Sequence, residues 1–183
     1  MDVGSNPLWR PRPDARSTTR LGQFMDIAGR RAGRSFDGYA SLWDWSITEP
    51  QEFWATIWDF FEVRASVPYD RVMSGRDMPG VRWFEGARLN YAERALATRG
   101  LGTAIVGRSQ TVGQVAWSWD DLHDQVARAR AGLVRLGVRR GDRVAAYLPN
   151  VPQTMAAFLA TASLGAIWTS CAPEFGVQAV LDR

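Results

Sequence analysis

Residue types that commonly perform chemistry in proteins are scarce in this sequence of 183 residues. All 22 basic residues are arginine, so the chain supplies no Schiff base, no lysine contact to a phosphate and no lysine general base. One cysteine, Cys171, cannot form a disulfide within the chain and indicates a reducing compartment. One histidine, His123, argues against a metal site built on histidine clusters.

Cys171 is also the one candidate thiol nucleophile. A thiolate forms at neutral pH next to a base or a positive charge, and the sequence places no base beside it, so we interpret Cys171 as a small buried apolar side chain. The Walker pattern requires lysine and is excluded, and a Gly-x-Ser-x-Gly elbow is absent. The turn at residues 149–152 reads Pro-Asn-Val-Pro and has no glycine that would let the backbone close on a phosphate.

Composition indicates a globular protein and argues against two classes of partner. The sequence is 46% apolar and 22% charged, with a net charge of +3. That balance is too mild to predict a nucleic-acid partner. No apolar run approaches the roughly 20 residues that span a bilayer, and no signal peptide is evident, so we predict no membrane partner and a cytoplasmic location. Four early arginines, Arg10, Arg12, Arg16 and Arg20, predict a solvated leader that orders only against the rest of the protein, with contact to an acidic partner as the alternative.

Helical patterns dominate the first hundred residues. Prolines predict an irregular arm over residues 1–16, followed by a helix over residues 17–34 that ends at Gly33. Thr48 and Pro50 then predict the capped start of a second helix, which carries an apolar stripe over residues 53–61. Asn90 with Glu93 predicts a capping box on a short helix.

The last third predicts a parallel sheet. Residues 103–107 and 112–119 alternate like a β-hairpin, and Ser118 then caps a helix that ends at Gly137. A strand over residues 143–148, a helix from residue 150 to Gly165 and a strand over residues 166–171 form a βαβ unit. This unit sets the fold class as α/β with a parallel sheet. A helix begins at residues 176–183, and the open sheet edges favour a longer protein of which this chain is a fragment.

Two segments resemble the acyl-CoA synthetases of the adenylate-forming superfamily. Residues 83–90 read Trp-Phe-Glu-Gly-Ala-Arg-Leu-Asn, similar to a segment found early in short-chain members. Residues 137–150 resemble that superfamily's Gly-Val-x-x-Gly-Asp-x-Val-x-x-x-x-Pro-Asn element. Residues 169–183, from Thr169 through Pro173 and Phe175 to Arg183, are similar to the pattern of acetoacetyl-CoA synthetases. Acetate- or propionate-activating relatives are the alternative.

The resemblance implies three segments and a set of ligands. We expect an arm and first helix over residues 1–35, a helical, Trp-rich acyl-CoA-synthetase region over 36–100, and the incomplete start of the AMP-binding α/β domain over 101–183. It further implies a ligase of lipid or ketone-body metabolism that uses ATP, Mg²⁺ and CoA to activate acetoacetate through an acyl-adenylate.

The family's catalytic elements lie downstream of the matched segments, so the resemblance places no catalytic or metal-binding residue on this chain. We therefore predict the isolated chain to be inactive and to bind none of these cofactors tightly. One stretch aligns with a turn near the CoA tunnel of relatives, and a packing role is its alternative. Its residues are Cys171, Ala172, Pro173, Glu174, Phe175 and Gly176. A non-catalytic binding module that kept the scaffold is the rival interpretation of the whole chain.

Overall fold

The fold is mixed α/β, and the chain divides after Ala87 into two compact units. The computed structural model describes residues 9–183. The part of the predicted irregular arm that falls on residues 1–8 therefore lies outside the described residues. We call the segments before and after the division the amino-terminal and carboxy-terminal units, and each has its own core.

The amino-terminal unit is four helices followed by an antiparallel pair of short strands. The elements are α1 (Ala15–Thr18), α2 (Arg20–Ala32), α3 (Tyr39–Thr48), α4 (Pro50–Phe60), β1 (Arg71–Ser74) and β2 (Arg82–Glu85). Helix α2 confirms most of the first predicted helix, but the helix is interrupted at Thr19, and the separate helix α1 makes residues 15 and 16 of the predicted irregular arm helical. The Thr19 side chain accepts a hydrogen bond from the Gly22 N–H at the start of α2, and α2 ends at Gly33, whose φ of 63° is the left-handed conformation that glycine adopts without strain.

The predicted capping role of Thr48 is wrong. Thr48 is the last residue of α3, and its hydroxyl donates to the carbonyl of Asp44 at 2.9 Å, four residues back in the same helix. Helix α4 begins with Pro50 at its first position, as predicted, but its N-cap is Glu49, which makes no side-chain capping bond. The cause is helix α3, which sequence reasoning missed and which occupies Thr48.

The core of the amino-terminal unit is built from helices α2, α3 and α4. Trp45 lies at its centre with 1% of its surface exposed. Its ring contacts Phe53 edge-on at 5.8 Å between centroids and Phe36 at 5.2 Å, which are favourable aromatic geometries. The remaining buried members of this cluster are Phe24, Met25, Ala28 and Leu42.

The carboxy-terminal unit contains the predicted hairpin and the predicted βαβ unit. Its elements are α5 (Tyr91–Ala95), β3 (Thr103–Ser109), β4 (Gly113–Ser118), α6 (Trp119–Arg135), β5 (Arg143–Tyr147), α7 (Pro152–Ser163), β6 (Ile167–Cys171) and α8 (Val177–Leu181). Strands β3 and β4 pair antiparallel, and β5 and β6 pair parallel. The predicted parallel pair is thereby confirmed.

Asn90 anchors the start of this unit. Its Oδ1 accepts hydrogen bonds from the N–H groups of Ala92 and Glu93, so the predicted cap is confirmed. Glu93 contributes its main-chain N–H to this cap and not the reciprocal side-chain bond of a capping box. The Nδ2 of Asn90 donates to the carbonyl of Ala162 at 3.0 Å, in the last turn of α7. Asn90 therefore joins the short helix α5 to the end of α7.

Ser118 forms the predicted N-cap of α6 and makes stability depend on pH. Its hydroxyl accepts from the Asp121 N–H, and an Asp121 carboxylate oxygen accepts from the Ser118 hydroxyl at 2.7 Å and from its main-chain N–H at 2.9 Å. The hydroxyl bond first, and then the main-chain bond, hold the pKa of Asp121 below its ordinary value. A carboxylate with a lowered folded-state pKa stabilises the fold above its unfolded pKa, and that contribution is lost as pH falls through the folded pKa.

Ser118→Ala is expected to lower the free energy of unfolding by about 1 kcal/mol at neutral pH, because the cap is lost. The variant should also lose less stability than the parent between about pH 5 and pH 2, since less of the Asp121 stabilisation is there to lose. Urea unfolding across this pH range measures both effects. Asp121→Asn is the matched variant and should flatten the same part of the profile; parallel profiles for all three proteins would contradict the prediction.

Candidate functional site

The carboxyl ends of β5 and β6 form one edge of the parallel pair. The register runs from Arg143 opposite Ile167 to Tyr147 opposite Cys171, so the segments that follow Tyr147 and Cys171 leave the sheet side by side. Ligands of open parallel sheets bind outside the carboxyl ends of their strands. The predicted turn at residues 171–176 therefore lies where such a fold places its ligands.

The turn begins on a buried residue and rises to the surface. Cys171 is 6% exposed, and its carbonyl accepts a hydrogen bond from the Leu148 N–H at 3.2 Å. Ala172 is half-buried, Pro173 and Glu174 are exposed, and Phe175 is half-buried. The turn is closed by the Phe175 N–H, which donates to the Ala172 carbonyl at 3.0 Å, and Gly176 is then the N-cap of α8.

Two side chains from outside the turn contact it. The Tyr147 hydroxyl lies 2.7 Å from the Pro173 carbonyl oxygen and 3.1 Å from the Phe175 carbonyl oxygen. Arg183 donates to the Ser170 carbonyl at 3.2 Å, and its guanidinium carbon lies 5.4 Å from the centre of the Phe175 ring, a cation–π distance. The turn is thus held by an aromatic hydroxyl on one side and by a guanidinium on the other.

Several polar groups of the neighbouring loop between β5 and α7 are bonded within the loop or to the first turn of α7. The Thr154 hydroxyl donates to the Pro149 carbonyl at 2.7 Å, and the Thr154 N–H donates to the Val151 carbonyl at 3.0 Å. Pro152, the first residue of α7, has no N–H to offer. Pro152 and Thr154 therefore offer no N–H to a ligand at this helix end.

The other two residues considered for chemistry, His123 and Cys171, are a hydrogen-bonded and a buried part of the fold, respectively. His123 lies on α6, and its Nε2 is 2.9 Å from the Thr98 carbonyl oxygen, a contact that requires the tautomer with hydrogen on Nε2. The thiol of Cys171 is free and buried. Among residues 9–183, no three His, Cys, Asp or Glu side chains group in a way that could hold a metal ion. Within the same range, every helix is too short or too polar to span a lipid bilayer.

Tyr147 and Arg183 lie in the family-like segments at residues 137–150 and 169–183, and the sequence alone predicts no role for either at this site. Tyr147 reaches the turn through main-chain oxygens 26 and 28 residues away, and Arg183 contacts the Phe175 ring and the Ser170 carbonyl 13 residues back. No local pattern reveals these contacts. One signal was available for Tyr147. It ends a strand that otherwise reads Arg-Val-Ala-Ala, and it lies on the exposed face of that strand.

Two family patterns match consecutive parts of the chain. The pattern described as acetyl-coenzyme A synthetase N-terminus matches residues 39–95, and the pattern described as AMP-binding enzyme matches residues 92–182. Together the two patterns cover residues 39–182, so the chain resembles the AMP-binding acyl-CoA synthetases over most of its length. The predicted resemblance to this family and the predicted fold class are both confirmed.

Within that family, the chain is similar to acetoacetyl-CoA synthetases. It is 41% identical to the enzyme from Rhizobium meliloti (strain 1021) over 97% of its own length, and 39% identical to that from Xenopus tropicalis over 93%. The solved structure of acetoacetyl-CoA synthetase from Streptomyces lividans superimposes on 97% of the chain with a TM-score of 0.88 at 46% sequence identity. The chain spans about a quarter of the length of these relatives, which it covers to 27%, 26% and 28%.

Proposed function

We propose that this chain is the amino-terminal part of an ATP-dependent acetoacetate–CoA ligase. The observation that supports the proposal is the similarity to acetoacetyl-CoA synthetases along 97% of the chain, in sequence and in fold. In the proposed reaction, an acetoacetate carboxylate oxygen attacks the α-phosphorus of ATP and pyrophosphate leaves. The CoA thiol then attacks the carbonyl carbon of the adenylate, its proton is released, and AMP leaves.

The chain's own contribution to that reaction is a scaffold and one ligand contact. The proposed contact is the turn at residues 171–176, which would line the approach of CoA through exposed main chain and the half-buried ring of Phe175. The described residues do not group into a metal site, and the sequence has no lysine. ATP and Mg²⁺ would therefore be held by other parts of the protein, and the acid and CoA would be its small-molecule partners in a cytoplasmic compartment.

Acetate is the second candidate substrate. The pattern that matches residues 39–95 is the one described as acetyl-coenzyme A synthetase N-terminus. The helical region alone therefore fits an enzyme that activates either acid. Acetoacetate is favoured because the acetoacetyl-CoA synthetase relatives match 97% of the chain and not the helical region alone.

Exchange of labelled pyrophosphate into ATP tests the proposal. The full-length protein that carries this chain, purified from its native cells, should catalyse exchange that depends on acetoacetate and more weakly on acetate. The 183-residue chain alone should give none, because a lysine and a phosphate-binding loop are not in its sequence. A native protein whose intact mass is that of the 183 residues, or exchange by the isolated chain, would overturn the proposal and favour a non-catalytic module or a different site.

A further inference from the structure

Tyr147 ends strand β5 with its hydroxyl between two carbonyl oxygens of the neighbouring turn. The distances are 2.7 Å to the Pro173 oxygen and 3.1 Å to the Phe175 oxygen. A phenol has one hydrogen to donate, and both neighbours are acceptors only, so the two carbonyls share it. The side chain is 54% exposed, and burial alone therefore does not account for its position.

The turn needs such an external bond because its own main chain offers few. Pro173 has no N–H, and the internal bond from the Phe175 N–H reaches only the Ala172 carbonyl. The helix that follows, α8, has five residues, which is too short to be stable by itself. A bond from a paired strand to the middle of the turn fixes it relative to the sheet.

We infer that Tyr147 is a positioning residue that holds the turn at residues 171–176 in the conformation that receives CoA. The ligand named in this inference, CoA, rests on the proposed function. The role of Tyr147 in holding the turn rests on the hydrogen bonds alone. Tyr147 touches the turn through its hydroxyl and acts on CoA only through that contact. Removing the hydroxyl should therefore loosen the turn and weaken CoA use while leaving adenylate formation intact.

The first test uses Cys171 as a reporter of the turn in the full-length protein, where modification of this thiol is followed by mass spectrometry of its peptide. It is the single cysteine of the 183 residues, it is buried, and it is the first residue of the turn. In Tyr147→Phe, the rate of thiol modification under native conditions should rise roughly three- to tenfold, as expected when one hydrogen bond stops opposing local opening. The matched control is Tyr91→Phe, which removes a hydroxyl from a 62% exposed tyrosine whose ring packs on Phe158 and should leave the rate unchanged.

The second test separates the two half-reactions in the full-length protein. Tyr147→Phe should raise the KM for CoA roughly three- to tenfold, in line with the loss of one hydrogen bond, and should leave acetoacetate-dependent pyrophosphate exchange unchanged. A general loss of stability would reduce both half-reactions together, so the split identifies a positioning effect. Tyr91→Phe should leave both at their parent values.

Each outcome has one meaning. Faster thiol modification together with a selective rise in the KM for CoA supports the inference. An unchanged modification rate overturns the role of Tyr147 at the turn, whatever the enzyme's activity. Faster modification with an unchanged KM for CoA overturns the assignment of the turn to CoA. Absence of ligase activity in the full-length parent would instead count against the proposed function, and the thiol measurement would still decide the structural part.

Discussion

Trp45→Ala is expected to cost about 3–5 kcal/mol of unfolding free energy, the range for removal of a large aromatic side chain from a packed core. Trp45 is 1% exposed and contacts both Phe36 and Phe53, so the cavity would open at the centre of the amino-terminal unit. Since domains are stable by about 5–15 kcal/mol, this loss removes a large share of the stability that such a unit can have. Urea unfolding followed by far-ultraviolet circular dichroism measures the loss.

A neighbouring tryptophan provides the control. Trp43 lies on the same helix and is 52% exposed, so Trp43→Ala should cost less than about 1 kcal/mol. Trp45→Phe keeps an aromatic ring in the core and should lie between the two. Equal losses for Trp43→Ala and Trp45→Ala would show that the core does not centre on Trp45.

Asn90→Ala is expected to cost about 2 kcal/mol, because it removes a helix cap and a bond to the end of α7 together. Asn90→Asp separates the two roles. It keeps the oxygen that accepts from Ala92 and Glu93, loses the donor to the Ala162 carbonyl, and places a negative charge at the negative end of the α7 dipole. Its loss, about 1–2 kcal/mol, should therefore come from α7 and not from α5.

Chemical denaturation and amide hydrogen exchange check this prediction. In Asn90→Asp, exchange should quicken in the last turn of α7 while α5 keeps its protection. The control is Asn150→Ala, in the other asparagine-containing family segment, whose exposed position predicts a change within about 0.5 kcal/mol. A loss for Asn90→Asp no greater than that of Asn150→Ala would contradict the assigned contact to α7.

Local patterns were sufficient for the carboxy-terminal unit. Ser118 has its partner three residues away, and the change from alternating to helical periodicity marks each boundary between strand and helix. Glycines with left-handed φ, such as Gly137 and Gly165, end the helices where the sequence places them. Every signal of this kind lies within a few residues of its effect.

The features that the sequence did not predict correctly, helix α3, the Thr48 cap and the Tyr147 contact, lack a reliable local signal. Helix α3 buries Leu42 and Trp45 but exposes Trp43 and Ile47, so apolar residues surround it and no single stripe is visible. Thr48 and Pro50 then imitate the start of a helix at the point where one helix ends and the next begins. Tyr147 could not be placed at the turn from sequence because its partner Phe175 is 28 residues away, and only the parallel pairing of the two strands joins them.

The two hydrophobic clusters share no residue. One draws on residues between Phe24 and Phe60, and the other on residues between Ala92 and Ala162. Each cluster is packed from residues of its own segment, so a substitution in one of them changes no member of the other. The two family patterns, at residues 39–95 and 92–182, likewise meet close to the division after Ala87. The sequence thus carries two separate sets of core residues, and each set can be repacked by substitutions within its own segment.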